Sequence, residues 1–75
     1  MRILLTGATG FLCYRTLEFL AELSVVISIR ANGRKIKNTH YFEHPKVTYH
    51  LGDLSDSKFV ETLANDIDVI IHAAA

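Results

Sequence analysis

The chain has one cysteine, Cys13, in 75 residues. A single thiol excludes an internal disulfide and a cysteine-based zinc site, and it fits a reducing, cytoplasmic setting. Charge of one sign is also missing: eight Lys and Arg balance eight Asp and Glu. That balance gives no electrostatic grip on nucleic acid or on an anionic membrane. No apolar run approaches the roughly 20 residues that cross a bilayer. The opening Ile3-Leu4-Leu5 stops at Thr6-Gly7, which is too short for a secretory signal. His40, His44 and His50 have no metal-ligand spacing with one another or with a carboxylate pair, so no metal site is assigned. Internal repeats, low-complexity tracts and linkers are absent from the sequence.

What is present is a chain 49% hydrophobic, enough for the core of at most one small domain. Ile3 to Leu5 is a short apolar run closed by a glycine turn, which predicts a buried strand. Phe11 to Leu23 carries leucines in helical company and predicts a helix. Val25 to Ile29 is β-branched and nearly all apolar, the pattern of a strand covered on both faces. Ala31 to Pro45 is polar and punctuated by Asn32, Gly33 and Pro45, which predicts a loop with at most a short helix. Val47 to Leu51 alternates and predicts a third strand. Ser57 to Asn65 predicts a second helix capped by Asp56 or Ser57, and Asp68 to His72 a fourth strand. Strands alternating with helical segments specify an α/β architecture with a parallel sheet, whose ligands bind beyond the carboxyl ends of the strands.

Those strand ends hold the candidate site residues. After the first strand comes Thr6-Gly7-Ala8-Thr9-Gly10-Phe11-Leu12-Cys13. Gly7 permits a tight turn, and a side chain at Gly10 would obstruct a pyrophosphate approaching the backbone. The helix that follows presents free N–H groups to an anion. A triphosphatase-type loop is excluded, because no Gly-Lys-Ser/Thr follows. After the second strand comes Arg30, 20 residues beyond Gly10, where a dinucleotide fold reads the adenosine ribose. Its guanidinium suits a 2′-phosphate and favours NADP over NAD, with Arg34 and Lys35 adding charge. After the third strand, Asp53 and Leu54 are placed to hold adenine; the alternative is that Asp53 closes a turn or caps the next helix. After the fourth strand, His72 reads as a packing residue, and the small Ala73, Ala74 and Ala75 let backbone lie against the ribose and phosphates.

Thr6-Gly7-Ala8-Thr9-Gly10-Phe11-Leu12, then Gly52-Asp53-Leu54, then Val69-Ile70-Ile71-His72-Ala73-Ala74-Ala75 together resemble the N-terminal half of an extended short-chain dehydrogenase/reductase. More narrowly the chain is similar to the NAD-dependent epimerase/dehydratase family, whose members act largely on nucleotide sugars. The resemblance implies a Rossmann-type three-layer sheet, partial here, with about four strands in the order 3-2-1-4. It implies that residues 1–75 are the N-terminal part of one NAD(P)-binding domain. Gly7, Thr9, Gly10, Phe11 and Leu12 would then form the pyrophosphate loop. Arg30 would discriminate the cofactor, Asp53 and Leu54 would hold adenine, and Ala73 to Ala75 would line the ribose side. Cys13 departs from the glycine usual in that family, which bears on how closely helix and strand pack.

The family's chemistry uses a Tyr-x-x-x-Lys pair, the tyrosine as general acid/base and the lysine lowering its pKa. Here Tyr14, Tyr41 and Tyr49 are followed four residues on by Glu18, Pro45 and Asp53. The expectation is therefore the cofactor-binding front of a longer enzyme, itself inactive, whose parent transfers hydride on a nucleotide sugar. A non-catalytic NAD(P)-binding sensor or regulatory module, and a ligand-free structural fragment, are the alternatives. A sheet stopping at its fourth strand would leave an apolar edge and face, so self-association is also expected.

Overall fold

The computed structural model describes residues 1–7, 11–33 and 42–72, with residues 11 and 12 by backbone alone. Its elements are β1 (Arg2–Thr6), α1 (Phe11–Ala21), β2 (Ser28–Gly33), β3 (Val47–Leu51), α2 (Ser57–Ala64) and β4 (Val69–His72). The four strands form one parallel sheet in the order β3-β2-β1-β4, as the resemblance implies. The chain winds outward from β1 through β2 to β3, then returns to the far side of β1. The order therefore reverses between β1 and β4, which is where open parallel sheets carry a crevice.

The alternation of strand side chains gives the sheet two different faces. Ile3 and Leu5 of β1 and Ile29 and Ala31 of β2 point to one face. They pack with Cys13, Leu17, Leu20 and Ala21, a stripe at helical spacing along α1. Leu5, Leu17, Ile29 and Val26 are the largest side chains fully removed from water. Leu4 and Arg30 point to the opposite face, where α2 lies and buries Leu63. The result is three layers, with one helix on each side of the sheet.

Asp56, one of the two candidate caps, starts α2. Its carboxylate accepts from the N–H groups of Lys58 (3.1 Å) and Phe59 (3.2 Å), satisfying two donors that a helix start leaves unpaired. At the other end of α2 the chain turns through Asp66, which has φ 60°, and enters β4. Arg2 N–H donates to the Asp68 carboxylate at 2.7 Å and fixes that entry beside β1.

The second strand differs from its expected span. Val25 to Ile29 was the apolar run, but the strand begins at Ser28 and continues to Gly33. Val25 and Ile27 stand 62% and 63% exposed, so the run is not covered on both faces. The chain leaving α1 makes successive turns from Glu22 to Val26 and reaches the ladder only when Ile27 N–H donates to Met1 O at 2.8 Å. Register then carries the strand forward through residues with little strand preference. Asn32 pairs with Thr6 and His50, and Gly33 with Leu51. Side-by-side hydrogen bonding has outweighed residue preference here. The first helix is likewise shorter than expected, ending at Ala21 rather than Leu23. Of the polar stretch Ala31 to Pro45, residues 34–41 lie outside the described residues.

β4 is an edge strand, with Val69 and Ile70 exposed at 37% and 57%. Among the described residues no helix is long and apolar enough to cross a membrane, and no cluster of His, Cys, Asp or Glu could hold a metal ion.

Candidate functional site

The carboxyl end of β1 is built first. Thr6 is buried beside its neighbours in β2 and β4, and the backbone leaves the strand through Gly7 at φ 72°. That left-handed conformation strains any residue with a side chain, so glycine is what lets the chain bend here. Residues 8–10, with the expected contacts Thr9 and Gly10, lie outside the described residues. Phe11 and Leu12 open α1, whose first turn carries no acidic side chain. No carboxylate of that turn offsets the positive end of the helix dipole.

The carboxyl end of β2 is not where Arg30 sits, and this corrects the expected placement. Because β2 runs to Gly33, Arg30 is the third of its six residues, level with Leu4 and Thr48. It stands about 10 Å short of the strand end, at the usual rise per residue. Its guanidinium reaches across to the last turn of α2, donating to Leu63 O (2.9 Å), Asn65 O (2.6 Å) and, at 3.4 Å, Thr62 O. They lie in the last turn and cap of α2, where a helix leaves carbonyls short of backbone partners, and a cation suits the negative end of the helix dipole. Arg34 and Lys35, which follow the true strand end, lie outside the described residues.

The carboxyl end of β3 continues the ladder one step further, with Gly52 N–H donating to Gly33 O at 3.0 Å. The ring of Phe59 from α2 lies directly over Gly52, 2.7 Å from where a Cβ would stand. Asp53 closes the turn that follows: its carboxylate accepts from Ser55 N–H at 2.9 Å and its carbonyl from Asp56 N–H at 3.1 Å. Leu54 is half-buried in that turn.

At the carboxyl end of β4, His72 stands opposite Thr6, and Thr6 Oγ1 lies 2.7 Å from His72 Nδ1. Ala73 to Ala75 lie outside the described residues. In-register positions share a face, so His72, Thr6, Asn32 and His50 form a polar row across all four strands at the sheet's carboxyl edge. Thr6 and Asn32 are buried, and Asn32 Nδ2 donates to His50 O at 2.9 Å. Sequence reasoning passed over Thr6 and Asn32 as site residues. The available signal at Thr6 was a polar residue ending an apolar strand; Asn32, in a strand that also holds Ser28, Arg30 and Gly33, had none.

Cys13, in the position where the resemblance expects glycine, packs inside the helix–sheet core at 6% exposure. Burial pushes its thiol pKa up. The folded state therefore favours the protonated thiol. That contribution to stability is complete below the unfolded thiol's pKa, about 8.5. It is lost as pH rises from there through the folded value. Cys13→Ala is expected to flatten the fall in urea midpoint between neutral pH and pH ~10. An identical fall in both proteins would mean that the thiol does not report its burial.

With this geometry in place, comparison with known proteins is informative. The profile of the NAD dependent epimerase/dehydratase family matches residues 3–75. A PKS-NRPS hybrid synthetase of Aspergillus fumigatus, psoA, is 38% identical over 85 residues, covering 97% of this chain and 2% of its own length. The UDP-glucose 4-epimerase of Halalkalibacterium halodurans is 32% identical over 77 residues, covering 100% of this chain and 22% of its own. Among solved structures, uronate dehydrogenase from Agrobacterium tumefaciens superposes with a TM-score of 0.79 at 26% identity, over 96% of this chain and 25% of that one. A variant of that dehydrogenase was solved complexed with NAD. The chain thus spans a quarter or less of each of these relatives. A profile match over nearly the whole length, on a parallel 3-2-1-4 sheet, leads to one conclusion: the chain belongs to the NAD dependent epimerase/dehydratase family.

Proposed function

We propose that residues 1–75 form the dinucleotide-binding portion of an NAD(P)-dependent oxidoreductase, epimerase or dehydratase acting on a nucleotide sugar. The observation that carries this reading is Gly7 in its left-handed bend, at the point where the strand order reverses and four residues before a helix start without acidic side chains. A strand end that bends through glycine toward a helix N-terminus supports a diphosphate-binding turn, and in this respect the described residues fit the cofactor. The loop of Gly7, Thr9, Gly10, Phe11 and Leu12 would hold the diphosphate, Asp53 and Leu54 the adenine, and Ala73 to Ala75 the ribose on the nicotinamide side. When bound, the nicotinamide supplies hydride transfer. This stretch has no Tyr-x-x-x-Lys pair, so the 75-residue chain binds without turning over. The preference for NADP is carried by Arg34 and Lys35, which follow the strand end, while the Arg30 guanidinium is engaged on α2.

The test is a titration of NADH and NADPH, followed by nicotinamide fluorescence, against the chain and its Gly10→Val variant. A branched side chain there should weaken both cofactors at least ~10-fold, about 1.4 kcal/mol of binding. Equal affinity in the two proteins would remove the diphosphate turn and the reading with it.

A second reading has its own observation. The hybrid synthetase shares 38% identity with this chain, against 32% for the epimerase. On that reading the same dinucleotide segment belongs to a hybrid synthetase, and the substrate is not a nucleotide sugar. A UDP-sugar that raises the affinity of the parent protein for NADH favours the first reading, and the lack of any such effect favours the second.

A further inference from the structure

Thr6 and His72 stand side by side on adjacent strands, at the edge where the strand order reverses. Thr6 is 4% exposed, whereas His72 is an exposed residue. Their bond is 2.7 Å long and runs to Nδ1, so the outer nitrogen, Nε2, stays clear of it. Which partner donates is decided by the buried one. A hydroxyl out of water that keeps its proton unshared loses a full hydrogen bond, whereas an uncharged hydroxyl oxygen without a donor loses less. Among the described residues the Thr6 hydroxyl has one partner, His72. The arrangement that leaves no orphan proton has Thr6 donating and Nδ1 accepting. A neutral imidazole accepting at Nδ1 carries its own proton on Nε2.

From this we infer that His72 is a ligand-binding residue of the crevice, held by Thr6 as the Nε2–H form so that it offers one donor to an oxygen acceptor of the dinucleotide. Thr6 is its positioning residue. The inference rests on the dinucleotide reading above and adds to it a side chain read from sequence only as packing. It also accounts for a buried threonine at the end of an apolar strand, where valine would pack as well and offer nothing to the ring.

Two measurements test it, one of them without any ligand. Nitrogen-15 spectra of the imidazoles at pH ~8 should show His72 protonated on Nε2 in the parent chain. Thr6→Val should give a mixture of the two forms, and Thr6→Ser should restore the single form. In the fluorescence titration, His72→Phe should weaken NADH about 10-fold and Thr6→Val about 3-fold, with Thr6→Ser near the parent value. The double variant Thr6→Val/His72→Phe should be no weaker than His72→Phe alone, because threonine acts through the ring. His72 protonated on Nδ1 in the parent chain would overturn the inference, whatever the ligand does. So would unchanged NADH affinity in His72→Phe while Gly10→Val still weakens binding, and that result would leave the dinucleotide reading standing. Failure of the parent chain to bind either cofactor would bring down both.

Discussion

Arg30→Ala should lose about 2 kcal/mol of unfolding free energy, a fall in the unfolding midpoint on the order of 10 °C for a domain of this size. The reason lies in what the guanidinium holds. It spans from the middle of β2 to the last turn of α2 and donates to carbonyls of Leu63 and Asn65 at 2.9 and 2.6 Å. It is thus the tie between the second sheet face and the helix that covers it. Charged donors make the stronger hydrogen bonds, and here one cation serves several acceptors at a helix end. Arg30→Lys keeps the charge but not the planar fork, and should recover less than half of the loss. The same variants separate two roles for this residue. If Arg30 serves α2, the ratio of NADPH to NADH affinity stays within about twofold of the parent while stability falls. A selective loss of NADPH, with the midpoint unmoved, would instead put the guanidinium on a 2′-phosphate.

The second large effect is expected at Gly52. A methyl group there would meet the Phe59 ring at 2.7 to 2.8 Å, closer than carbon atoms approach without displacement. Phe59 must move to make room. Its backbone N–H is tied to the Asp56 cap, so the helix cannot shift as a whole and any relief must come from turning the ring out of its packed rotamer. Gly52→Ala should therefore cost about 1 to 3 kcal/mol, the usual range for overpacking. Adding Phe59→Leu to Gly52→Ala should return part of that cost, with a coupling of about 1 kcal/mol in a double-mutant cycle. Additive losses would show that the ring is not the obstacle. Because the displaced ring borders the turn proposed to hold adenine, NADH affinity should fall in Gly52→Ala and rise again in the double variant.

Much of this fold was legible because apolar runs and their punctuation coincide. Val47 to Leu51 alternates and becomes β3, and the Val69 to His72 stretch becomes β4. Asp56 precedes an amphipathic segment and caps it. The second strand resisted reading for a physical reason. Its bounds follow the hydrogen-bond ladder beside β1, which starts at Ser28 and recruits Asn32 and Gly33, rather than the apolar run before it. That shift moved Arg30 from the rim of the sheet to its middle, and with it the meaning of its charge. At Asp53 the turn is visible, with the carboxylate accepting from Ser55 N–H, and the adenine contact stands beside it as a proposal. The Thr6–His72 pair had no local signal, since nothing in the spacing of residues 66 apart says that their strands will lie in register.

That separation has a consequence for how the molecule comes into being. β1 is an interior strand whose two neighbours are made at different times: β2 soon after it, and β4 only with residues 69–72. A nascent chain must hold Leu4 and Leu5 ready beside an empty lane until the last described strand has emerged. Closing a contact that distant is slow, and the wait is when wrong partners compete. The crevice between β1 and β4, and any site built on it, is thus complete only once β4 has docked.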